Sequence, residues 1–124
     1  MHVSRSEAAT AATLLVLADF QGALACGAPW GRAAYGGSRP GTLPGRLRAV
    51  SGLAALAYGT GAVLILRGTG SPAARSRAFT ALSAVMALGT VANGASRSPV
   101  ERALWTPLTA ASAALAWRSR SARP

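Results

Sequence analysis

Residues 49–66, AVSGLAALAYGTGAVLIL, run for eighteen positions without a charge, between Arg46 and Arg48 on one side and Arg67 on the other. As a helix, at about 1.5 Å per residue, the stretch is about 27 Å long, close to the ~30 Å hydrocarbon core of a bilayer. Gly52, Gly59 and Gly61 within it agree with that reading, because glycine is commoner in membrane helices than in soluble ones. The stretch is read as a membrane span. A chain of 124 residues supplies one domain around it.

The distribution of charge extends this reading to the rest of the chain. The runs 49–66, 78–96 and 103–117 make up 52 of the 124 residues, yet hold none of the sixteen formally charged side chains. Even scattering would put about seven there, and exclusion of charge to the flanks is what a bilayer imposes. The net charge of +10 would suit a nucleic-acid partner, but its confinement to connections argues for lipid headgroups instead. No nucleic acid is expected. All thirteen basic residues are arginine, which together with abundant alanine, glycine and proline reflects GC-rich codons. A single cysteine, Cys26, and a single histidine, His2, provide neither an internal disulfide nor a zinc site. No metal or cofactor is expected.

Residues 8–27, AATAATLLVLADFQGALACG, form the first span, apolar except for Asp19 and Gln21. Ala23-Leu24-Ala25 has the form of a signal-peptide cleavage site, and Cys26 behind it hints at a lipoprotein. However, Asp19 interrupts the apolar core and Glu7 dilutes the positive leader, so an uncleaved span is expected. Residues 27–48 carry too many glycines and prolines for a span. They are read as an interfacial loop, with Trp30 and Tyr35 in the headgroup layer. The third span is 78–96, with Asn93 its one amide, and the fourth is about 100–117. Ser98 and Pro99 suit a helix start there, with Glu101 in the first turn. Trp105 and Trp117 are placed near opposite interfaces as an aromatic belt. Residues 118–124 are read as a basic, disordered tail.

The spans are rich in small residues at fourfold spacing: Ser51, Ala55 and Gly59, then Ser83 and Ala87, then Ala110 and Ala114. Such rows let helix backbones approach closely in lipid.

No nucleophile elbow, phosphate-binding loop, HExxH or paired-cysteine motif occurs. No enzymatic activity is expected. Asp19 is the costly choice, because a carboxylate near a span centre costs on the order of 2.5–3.5 kcal/mol on insertion scales. It is read first as a structural hydrogen-bonding group, with Asn93, Tyr58 or Thr90 as partner, and second as a proton-coupling group. Asp19 and Asn93 are therefore the candidate intramembrane polar site. Helix capping accounts for Glu7 and Glu101.

At GAPWGRAAYGG (27–37), LPGRLR (43–48) and N-x-x-S-R-S-x-x-E-R-x-x-W-x-P (93–107), the chain resembles small uncharacterised integral membrane proteins of bacteria, of actinobacterial type. The resemblance covers over half the chain and implies four spans in the plasma membrane. It carries over no activity, ligand or site residue. A looser likeness of layout, without shared motifs, is to the small multidrug-resistance exporters, which have four spans and one acid in the first.

The expected architecture is thus all-α: four transmembrane helices in an antiparallel bundle. The expected role is accessory or structural, with a proton-coupled exporter or channel subunit using Asp19 as the alternative. Lipid is the partner, with a second copy or another membrane protein beside it. Four spans put both termini on one side. Seven arginines fall on that side and six on the other, a difference of one toward cytoplasmic termini by the positive-inside rule.

Overall fold

The computed structural model describes residues 3–121. Among these the chain is all-α, with four helices and no strand. Helix α1 is Arg5–Ala25. Ser4 caps its first turn and Glu7 reaches back to the Ser4 N–H, a capping box that satisfies two otherwise orphaned amides. It ends at Gly27, whose φ of 100° lets the Ala28 N–H return to the Ala23 carbonyl. Helix α2 is Gly45–Leu66, entered through Pro44 and closed in the same manner at Gly68. Helix α3 is Pro72–Gly94, with Ser71 as N-cap and Pro72 at the first position.

The fourth helical segment is already helical at 99–100. It passes through a π turn at Glu101–Trp105 and continues as α4, Thr106–Ser119. Pro107 has no N–H to give and its ring crowds the carbonyl one turn back. The Thr106 N–H bonds to Glu101 O, five residues away, which widens the helix locally. At the other end Arg118 and Ser119 belong to α4, so the expected disordered tail starts too early. Its last residues, 122–124, lie outside the described ones.

Helix α1 packs against α2 and α4, and α4 packs against α3, giving the order α2–α1–α4–α3. The fourth side, between the consecutive helices α2 and α3, stays open. Small side chains bring α1 and α2 together: Gly22 faces Ala55, and Gly52 faces Ala25. The buried core between them is Ala11, Leu14, Leu17 and Ala62, joined by Met86 and Trp105. Ser51 of the anticipated small-residue rows is fully buried and Ser83 donates to the Ala113 carbonyl. By contrast, Ala110 and Ala114 face outward, and Thr109, Ser112 and Ala116 make the α4 contact instead.

The polarity of the bundle is inverted relative to a soluble protein. Thr10, Ser51 and Ser112 are fully buried, whereas Leu53, Leu56 and Leu88 are 69–70% exposed. Hydroxyls pair across helices, Thr13 with Ser112 at 2.8 Å and Thr10 with Ser119 at 3.3 Å. Thr90 donates to Thr109 at 3.1 Å. Among the described residues, α1 and α2 are long and apolar enough to cross a bilayer, with mean hydropathy of 1.4 and 1.8 over their best windows.

Candidate functional site

The 27–44 connection is the most irregular part of the chain, and it is folded down onto the bundle. The Gly31 N–H donates to Gly41 O at 2.9 Å, which ties the two ends of the loop together. A Cβ at Gly31 would overlap the Arg39 carbonyl oxygen, so only glycine permits this crossing. Further along, Tyr35, Gly36 and Gly37 all have positive φ, at 49°, 77° and 74°. A left-handed tyrosine is uncommon and holds strain in this turn. Its hydroxyl is tied to the Ser51 Oγ at 2.9 Å.

The strained turn delivers a backbone donor to a buried acid. The Gly36 N–H meets Glu101 Oε1 at 2.7 Å, and the Ser96 hydroxyl donates to the same oxygen at 3.1 Å. Glu101 is 7% exposed. Its backbone N–H is capped by Ser98 Oγ, as the sequence indicated. Its side chain, however, is committed to the loop rather than to the helix end. Helix capping is therefore an incomplete account of Glu101.

Trp105 departs from expectation in a related way. It lies buried inside the bundle instead of at an interface, and its Nε1–H donates to Ala33 O at 2.9 Å. Phe20 sits between two indoles, 4.4 Å from Trp105 and 6.2 Å from Trp30, nearly parallel to the latter. Trp30 and Trp117 remain about half exposed.

Beneath this cap lies a cavity of about 240 Å³. Helix α1 contributes Phe20 and Gln21, α2 contributes Tyr58, α3 contributes Asn93, and the π turn contributes Glu101 and Trp105. Gln21 Oε1 is buried there with no hydrogen-bond partner. The widened turn sets Glu101 and Trp105 on the same wall, facing the loop that both of them bond.

The two sequence candidates are not brought together. Asn93 lines the cavity, with its Nδ2 donating to Gly89 O at 2.8 Å. Asp19 is exposed on the outer side of α1, lines none of the described cavities and makes no hydrogen bond to a described residue. Neither Asn93, Tyr58 nor Thr90 partners it; the Thr90 hydroxyl donates to Met86 O and Thr109. Glu101, Gln21, Tyr35, Tyr58 and Thr109 are the polar side chains that share the cavity with Asn93. Glu101 has one sequence signal, being one of only three acids beside thirteen arginines.

A second, apolar cleft of about 440 Å³ occupies the open side between α2 and α3, floored by Leu14. At its far end Arg75 and Glu7 form an ion pair, Nη2 to Oε1 3.0 Å. Among the described residues, no group of three or more histidine, cysteine or acidic side chains converges on one point. Cys26 is exposed. The chain matches no family model, no curated protein and no solved structure with which it was compared.

Proposed function

We propose that the protein is a four-span integral protein of the bacterial plasma membrane with an accessory, non-enzymatic role. The observation that carries this reading is the inverted polarity: hydroxyls buried at Thr10, Ser51 and Ser112, leucines exposed at 53, 56 and 88. In water that arrangement wastes apolar burial and leaves leucines wet. In lipid it is the favourable one, because hydroxyl pairs between helices replace the missing hydrophobic drive. The apolar girdle includes Val85, Leu88 and Val91 of α3 and Leu104 before α4, which supports spans beyond α1 and α2. The arginines near 32–48 and 67–77 then lie at the two headgroup layers. Lipid is the first partner, and both termini face the cytoplasm.

Fractionation and topology mapping test this proposal. The protein should stay with membranes through an alkaline carbonate wash and require detergent for release. Alkaline phosphatase inserted in the 27–44 loop or in the 95–98 turn should be active. The same enzyme placed in the 67–71 turn or at the C-terminus should be silent. Recovery in the wash supernatant overturns the membrane reading. Matching signals from 67–71, 95–98 and the C-terminus would reduce the spans to two.

A further inference from the structure

We infer that the cavity beneath the loop binds a small lipophilic monocation, an arylalkyl- or alkylammonium, with its charge at Glu101 and its apolar body against Phe20, Tyr58 and Trp105. The argument begins with charge. The chain carries thirteen arginines and three acids, yet the cavity is lined by one of the acids and by none of the arginines. Glu7 is neutralised by Arg75. Glu101 has no arginine nitrogen within 4.0 Å among the described residues. Its neighbour Arg102 donates instead to the Ser96 carbonyl. Glu101 is 7% exposed and takes hydrogen bonds from Gly36 and Ser96 but has no counter-ion, which leaves room for a cation as its partner.

The cavity holds several acceptors with capacity to spare. Both donors to Glu101 fall on Oε1, and Oε2 accepts nothing from the described residues. Gln21 Oε1 is buried and unpartnered. Asn93 spends its Nδ2 on Gly89 O, and its Oδ1 accepts no hydrogen bond from the described residues. These are acceptors, and an ammonium brings three donors and no acceptor. The Tyr58 hydroxyl and the Gln21 amide nitrogen donate to no described residue and could meet a neutral ligand, but an anion would face the Glu101 carboxylate with no arginine on the wall.

Shape and surface agree with this class. Phe20, Tyr58 and Trp105 line the cavity, and aromatic rings attract cations as well as apolar groups. A cavity of about 150 Å³ takes benzene. One of about 240 Å³ takes about ten non-hydrogen atoms by the same scaling, a ring with a short aminoalkyl arm. Tyr58, Val85 and Met86 line both this cavity and the apolar cleft between α2 and α3. A longer apolar tail therefore has a continuous path away from Glu101.

Three probes of matched shape test the inference: phenethylammonium, phenethyl alcohol and hydrocinnamate. They are titrated into the purified full chain in nanodiscs, and intrinsic fluorescence is followed in a Trp117→Phe background. The cation should give saturable quenching, and the alcohol should bind about 10-fold more weakly or worse, as expected for losing a charged hydrogen bond. The anion should not bind. Glu101→Gln keeps an acceptor for Gly36 and should lower cation affinity to that of the alcohol while leaving the alcohol unchanged. Gln21→Leu, away from the loop, should weaken the cation several-fold and guards against a loosened Glu101→Gln. Equal binding of all three probes overturns the inference, as does no saturable cation binding at millimolar concentration. Undiminished cation binding in a Glu101→Gln variant with wild-type near-UV dichroism overturns it too. The cavity belongs to the helix bundle itself, so these outcomes are independent of the carbonate wash.

Discussion

Glu7→Gln removes a charge while preserving the shape of the α1 terminus. The new amide oxygen still accepts the Ser4 N–H that the carboxylate takes at 3.3 Å, so the cap survives. What disappears is the counter-charge of Arg75, 3.0 Å away, with the two side chains 14% and 6% exposed. At an effective dielectric constant of about 20, unit charges at that distance attract by about 5.5 kcal/mol. Desolvation of the two ions offsets much of this in the wild type. In the variant the attraction goes while Arg75 remains buried, held by the Thr69 carbonyl and lying 5.7 Å over the Phe79 ring. The expected loss of stability is about 2–3 kcal/mol. That is below the ~3–5 kcal/mol for breaking a fully buried pair, because Arg75 keeps some solvent and its hydrogen bond to the Thr69 carbonyl. Reversible unfolding of the detergent-solubilised protein measures this loss. A double-mutant cycle with Arg75→Met isolates the pair, with an expected coupling of about 1.5–2.5 kcal/mol that changes little with added salt. A coupling below about 0.5 kcal/mol, or one that salt erases, would place the pair among surface bridges and refute the argument from burial.

Two further substitutions probe the cap and the outer face. Gly31→Ala forces a Cβ onto backbone oxygen and should cost about 2 kcal/mol or more, with loss of the near-UV dichroism of Trp30 and Trp105. Gly45→Ala, where nothing lies within 4 Å, should leave the spectrum unchanged. Asp19→Asn removes a charge that has no described partner and should shift stability by less than about 1 kcal/mol, without loss of any resistance conferred by overexpression. A larger destabilisation in micelles would mean that a second copy or another protein contacts Asp19.

The helices were legible in the sequence because their middles are long uncharged runs, and their ends were less so for the same reason. Hydropathy marks the apolar middle of a helix, whereas the helix begins at its cap. Thus α2 starts four residues before Ala49, taking in Arg46 and Arg48, and α3 starts at Pro72, taking in Arg75 and Arg77. Ser98-Pro99 did reveal its helix start, because a cap is a local signal. The cavity was hidden for the opposite reason. Glu101 gains its meaning from Gly36, 65 residues away, and Trp105 from Ala33, 72 residues away. No spacing rule joins those positions. Asp19 drew attention because a charge in a span is costly, but cost alone does not tell which way the side chain faces. Half a turn of rotation about the helix axis separates an inward carboxylate from an outward one.

The seam between α1 and α4 joins the earliest and the latest parts of the chain. Thr10 meets Ser119 across 109 residues, and Thr13 meets Ser112 across 99. In the membrane arrangement proposed above, the first hairpin is therefore inserted before its partner exists. Its hydroxyls are not left waiting unpaired, because Thr10 also bonds Ser6 O and Thr13 also bonds Thr10 O within their own helix. The hairpin of α1 and α2 is self-sufficient while alone, and each hydroxyl contact across the seam adds only about 0.6 kcal/mol. The ion pair of Glu7 and Arg75 and the packing of Met86 and Trp105 against Leu14 and Leu17 also hold the two halves together. A chain cut within 67–71 leaves two hairpins able to find each other again, and the same economy lets the halves of two molecules trade partners.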